Sequence, residues 1–102
     1  MRLNDEQVAE YRDKGWILLP SVFSAKERSV LEAAAFEVLE RSGPEVARED
    51  DGSPHVCWGM HLFDERFGAL TRHPRMVEPV EQLLGNQVFV HQSRINIKQQ
   101  NG

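Results

Sequence analysis

The sequence predicts an α+β fold, and three observations carry that expectation. Two segments open with reciprocal helix-capping signals, the second of them runs on with apolar residues at three- and four-residue steps, and the stretch from Gln87 to Lys98 is rich in β-branched residues that alternate with a period of two. At 102 residues the chain has room for one domain with a single modest core.

Asn4 opens the first helix, because its side chain can cap the backbone, Gln7 follows three residues on, and Leu3 and Val8 stand where a hydrophobic staple would close. That helix should run to about Lys14, with Gly15 as its left-handed stop. Trp16-Ile17-Leu18-Leu19, ahead of Pro20, is a short apolar run that suits a buried strand. Ser24 and Glu27 form a second capping box, and Val30, Leu31, Ala34, Ala35, Val38 and Leu39 give one apolar face to the longest helix. Ser42-Gly43-Pro44 is its expected end, and residues 43–54, acidic and without period, are expected to form an exposed loop.

His55 to Gly59 suits a short strand, and Leu62, Phe63, Phe67 and Leu70 suit a short helix beside the core. Pro74 fits a first helical position, with Met76, Val77, Val80, Leu83 and Leu84 turned inward and Gly85 closing the last turn. Pro79 conflicts with that helix at a cost of roughly 3 kcal/mol, so a kink there or a later start is expected. In the stretch from Gln87 to Lys98, Phe89, Ile95 and Ile97 share one face. Val88, Val90, Gln92, Arg94, Asn96 and Lys98 share the other.

Composition narrows the function. Hydrophobic residues are 40% and charged residues 27% of the chain, which suits a packed core rather than disorder, and no apolar run approaches the ~20 residues that span a bilayer. Lysine and arginine total 12 against 16 acidic residues, and no basic stripe forms for phosphates, so neither nucleic acid nor membrane is an expected partner. Cys57 has no second cysteine to bond, and Met1-Arg2-Leu3-Asn4-Asp5-Glu6 lacks the apolar centre of a signal peptide, so the cytosol (a cytoplasmic location) is expected.

Gln92, Arg94, Asn96 and Lys98 place four hydrogen-bond donors in a row. Such a row is either a wall that grips a carboxylate ligand or the solvated side of a strand packed through its other face. Six residues of strand span about 20 Å, so Gln92 and Lys98 reach two ligands more readily than one. His55, Cys57 and His61, with His73 and His91 further off, raise a zinc reading, but their spacing repeats no finger motif, and packed or surface histidines explain them as well. Ser93 and Cys57 lack the setting of a nucleophile, and no phosphate loop is present.

Leu3-Asn4-Asp5-Glu6-Gln7 through Tyr11, Gly15-Trp16-Ile17-Leu18-Leu19-Pro20 and Val22-Phe23-Ser24 resemble the start of a phytanoyl-CoA dioxygenase family protein. His73-Pro74-Arg75, Glu81-Gln82-Leu83-Leu84-Gly85 and above all Val90-His91-Gln92-Ser93-Arg94-Ile95-Asn96-Ile97-Lys98 resemble its ectoine hydroxylase branch, in which this strand precedes an iron-binding loop. The resemblance covers nearly the whole chain and is weakest from Gly43 to Leu70. It implies an iron(II)- and 2-oxoglutarate-dependent oxygenase on a double-stranded β-helix of the jelly-roll or cupin type. Residues 1–102 would be the N-terminal portion of one such domain, with helices packed on its first strands.

The resemblance also implies that iron is held by two histidines and a carboxylate, and that 2-oxoglutarate and O2 are consumed as a small polar or amino-acid-like substrate is hydroxylated or, in relatives, halogenated. Carried over by position, Gln92 resembles a substrate-contacting glutamine, Lys98 a lysine near 2-oxoglutarate, and Asn96 a neighbouring polar contact. The family's iron triad begins with His-x-Asp, whereas the second residues after His55, His61, His73 and His91 are Cys57, Phe63, Arg75 and Ser93. No metal ligand or catalytic residue is therefore assigned here, and iron ligands are expected beyond Gly102. The alternative is a non-catalytic α+β module that binds another protein through its acidic helices or its last strand.

Overall fold

The computed structural model describes residues 2–98. Helices α1 (Asp5–Lys14) and α2 (Ala25–Leu39) are followed by strands β1 (Val46–Arg48) and β2 (Pro54–Trp58), helices α3 (Met60–Phe63), α4 (Glu65–Arg72) and α5 (Pro74–Leu84), and strand β3 (Arg94–Asn96). The strands form one antiparallel sheet in the order β1-β2-β3. The α+β class holds. Val38 and Leu39 of α2, Val46, Cys57 and Met60 form the core, and Phe63, Phe67, Ile95 and Ile97 pack around it.

Both capping boxes form as the sequence predicts. Asn4 Oδ1 accepts the Gln7 amide at 2.8 Å while Gln7 Oε1 accepts the Asn4 amide at 2.9 Å, and Gly15 ends α1 in the left-handed region at φ 82°. Leu3 is buried, and its backbone is gripped at both ends by Gln82 of α5: the Leu3 amide donates to Gln82 Oε1 at 2.8 Å, and Gln82 Nε2 donates to the Leu3 carbonyl at 2.9 Å. The N-terminal segment is thereby tied to the last helix.

Glu27 has two duties. It completes the α2 capping box with Ser24, and it receives Arg75 at the start of α5, which also donates to the Val22 carbonyl at 2.8 Å and lies 4.8 Å over the Phe23 ring. The His73-Pro74-Arg75 motif is thus a tie between helices. The Arg75 hydrogen bond, then that from the Ser24 backbone, hold the Glu27 carboxyl down at about 2 from an ordinary 4.5. A carboxylate with a depressed folded-state pKa adds stability above its unfolded value and loses it as the pH falls through the folded value. Glu27→Gln is therefore expected to lower the urea midpoint at neutral pH, with the gap to the parent closing between 4.5 and about 2. A gap that stays constant down to acid would contradict this tie.

Several expectations are corrected. Residues 16–19 form no strand among the described residues: Trp16 and Leu18 are exposed, Ile17 and Leu19 half-buried, and no described strand lies alongside to complete a ladder. Helix α2 stops at Leu39 rather than Gly43, because Arg48 of β1 donates to the Leu39 and Arg41 carbonyls at 3.1 and 2.9 Å and so satisfies the helix end without a glycine. The expected loop over 43–54 contains β1 and a hairpin turn, where Gly52 adopts φ 87° and Asp51 Oδ1 accepts the Ser53 amide at 2.9 Å. Helix α5 starts at Pro74 and runs through the buried Pro79 without interruption. Met76, Val80 and Leu84 of α5 are exposed rather than inward.

Candidate functional site

Strand β3 fixes the candidate residues. Cys57 lies opposite Ile95, Val56 opposite Asn96 and Trp58 opposite Arg94, and the ladder extends through Gly59 N–H donating to the Ser93 carbonyl and Ile97 N–H donating to the His55 carbonyl, both at 2.9 Å. The register puts Ile95 and Ile97 against the core, and the alternation of exposure places Arg94, Asn96 and Lys98 on the other face. This parity is as the sequence predicts from Arg94 onward. Upstream it fails: Phe89 is 88% exposed instead of joining Ile95 and Ile97, because β2 ends at Trp58 and residues 87–92 have no strand partner among the described residues.

Gln92, Arg94, Asn96 and Lys98 are all exposed, so the described residues do not enclose the row in a cavity. Helix α2 contacts β2, and on the face that carries Asn96 its register partner Val56 is buried while Arg94, Asn96 and Lys98 are exposed. Trp58, 43% exposed and paired with Arg94, is the aromatic member of that face. Lys98 makes no ion pair among the described residues, so its ammonium is available to an anion.

Beside this face an open groove of about 750 Å³ runs between α5 and the 87–93 segment, apolar along Val80, Leu84 and Val88 and polar at His61, Gln92 and Ser93. His61 Nδ1 lies 2.5 Å from Ser93 Oγ. The structure therefore places Gln92 and Arg94 at the groove, and leaves Asn96 and Lys98 farther along the strand. The His61–Ser93 contact is not visible in the sequence, since the two residues are 32 positions apart.

The zinc reading does not assemble. His55 Nδ1 pairs with Glu49 at 2.8 Å, His61 faces Ser93, and Cys57 is fully buried, its thiol pushed up chiefly by that burial and so kept protonated. Among the described residues no three histidine, cysteine or carboxylate groups converge on a metal position. Among the described residues no helix is long and apolar enough to cross a membrane.

No family model matches the chain. Ectoine dioxygenase of Bordetella bronchiseptica is 36% identical over 102 residues, covering 94% of this chain and 33% of that protein. L-proline trans-4-hydroxylase of Streptomyces griseoviridis is 37% identical over 98 residues, covering 95% of this chain and 36% of its own. The crystal structure of EctD from S. alaskensis with 2-oxoglutarate and 5-hydroxyectoine superposes with a TM-score of 0.83 at 26% identity, over 92% of this chain and 35% of that one. The chain is homologous to the N-terminal third of the ectoine dioxygenases.

The homology to ectoine dioxygenases spans the β1–β2 hairpin and α3, where the sequence resemblance is weakest, since the match takes in 94% of the chain. The same EctD with bound Fe superposes at a TM-score of 0.85. The chain spans about a third of the length of the curated relatives it matches.

Proposed function

We propose that this chain forms the N-terminal portion of an iron(II)- and 2-oxoglutarate-dependent oxygenase that hydroxylates a small polar or amino-acid-like substrate, built on a double-stranded β-helix of which β1–β3 are the first strands. The observation that carries the reading is the parity of β3: a homologue of ectoine dioxygenases turns a bare row of amide and cationic groups away from its own core. A dicarboxylate suits Lys98 and Asn96, one charge-assisted contact beside one amide donor about 7 Å along the strand. Gln92, at the groove and about 20 Å from Lys98, suits the organic substrate.

The described residues do not fit an iron site, since no suitable group of three ligands exists among them. The reading therefore requires iron ligands outside residues 2–98, and iron with 2-oxoglutarate would supply the oxidising chemistry. This chain's residues would bind and orient.

The reading of a free-standing protein-binding module fits the surface less well. Phe89 is 88%, Leu62 81% and Leu18 75% exposed, and the radius of gyration is 16.0 Å against about 13 Å for a compact chain of this length. In the oxygenase reading those side chains lie under further polypeptide, and the homology to ectoine dioxygenases favours that cover over a separate partner. The test is to express the complete coding sequence and measure succinate formed from 2-oxoglutarate with iron(II), O2 and either ectoine or L-proline. Succinate coupled to substrate is expected; a coding sequence without His-x-Asp after Gly102, or the absence of turnover, would overturn the reading.

A further inference from the structure

We propose that His61 is a positioning residue which, through the Ser93 hydroxyl, fixes the Gln92–Arg94 stretch in the geometry the site uses. Its consequence for substrate rests on the oxygenase reading above; the latch itself rests on geometry. Ser93 is the last residue before β3, and Gln92 precedes it in backbone that no described strand supports. Something other than a ladder must hold Gln92 in place.

Two contacts do so, both from one tight reversal. The Gly59 amide donates to the Ser93 carbonyl at 2.9 Å, and His61 Nδ1 meets Ser93 Oγ at 2.5 Å, so main chain and side chain of one residue are gripped together. The reversal depends on Gly59 at φ 71°, a left-handed conformation in which the Leu62 amide returns to the Gly59 carbonyl at 2.9 Å.

The His61 backbone is itself seated. Met60 is buried in the core, and Gly68 of α4 lies so close that a Cβ there would stand 3.2 Å from the His61 carbonyl oxygen. The imidazole is thus carried by a fixed support. By alternation Ser93 belongs with half-buried Ile95 and Ile97, whereas Gln92 and Arg94 belong to the exposed set. The latch therefore grips Ser93 between Gln92 and Arg94, and all four residues line the groove.

The test uses the complete protein in three variants. His61→Phe keeps an aromatic ring but no hydrogen-bonding nitrogen, Ser93→Ala removes the hydroxyl, and His61→Asn returns an amide near the Nδ1 position. Amide hydrogen exchange over residues 89–94 is expected to rise roughly five-fold in His61→Phe and Ser93→Ala and to stay near the parent in His61→Asn. With ectoine or L-proline as the probe, the KM for that compound should rise about five- to ten-fold, while kcat and the KM for 2-oxoglutarate change less than about two-fold. Unchanged exchange in Ser93→Ala, or equal exchange in the Phe and Asn variants, would overturn the latch. Equal rises in both KM values would overturn the positioning role. Should His61→Phe fail to fold, Ser93→Ala decides. Absence of turnover in the parent protein overturns the oxygenase reading instead, and the exchange result then decides the latch alone.

Discussion

Lys98→Ala in the complete oxygenase is expected to raise the KM for 2-oxoglutarate by about ten-fold or more and to leave the KM of the organic substrate within about two-fold. Gln92→Ala is expected to do the reverse. The division follows from the length of the strand: the two residues are six positions apart, about 20 Å in extended backbone, so one small ligand does not bridge them. It also follows from chemistry, because an ammonium paired with a carboxylate makes a stronger contact than a neutral amide, and Lys98 spends its charge on no described residue. Asn96→Ala, with one neutral donor lost, should follow Lys98→Ala with a smaller effect. Steady-state kinetics with each substrate varied in turn check all three variants. Equal effects of Lys98→Ala on both KM values would refute the assignment.

Local chemistry was legible in the sequence wherever a short-range signal determines it. The capping pairs Asn4/Gln7 and Ser24/Glu27, the stops at Gly15 and Gly85 and the start at Pro74 are set by residues within one helical turn, and each forms as read. What was not legible depends on distant partners. Residues 16–19 have the composition of a strand, yet strand formation needs a neighbour, and none is described. The end of α2 is decided by Arg48, nine residues beyond Leu39, rather than by the glycine that local rules select. Strand β1 hides in an acidic stretch whose Asp51-Gly52 turn signal was passed over.

The site divides the same way. The alternation of Arg94, Ile95, Asn96, Ile97 and Lys98 is readable because a period of two needs only consecutive residues. Its extension to Phe89 fails where the β2 partner ends. The contact of His61 with Ser93 needs the Gly59 reversal and the seating of α3 on α4, neither of which is visible in residue order.

The central claim is that Lys98 looks into a chamber completed by further polypeptide, where 2-oxoglutarate meets it. Lysine reactivity reports on this directly, because an acylating reagent reaches an amine only when it is open and deprotonated. Lys14, which pairs with Glu10 on the surface of α1, and the exposed Lys26 of α2 provide references in the same chain. The most direct measurement is residue-resolved acetylation of the complete protein by mass spectrometry, with and without 2-oxoglutarate. The account predicts that Lys98 reacts about ten-fold or more slowly than Lys26 once 2-oxoglutarate is bound, with Lys14 and Lys26 unaffected by it. Acetylation of Lys98 at the rate of Lys26, indifferent to 2-oxoglutarate, would contradict it.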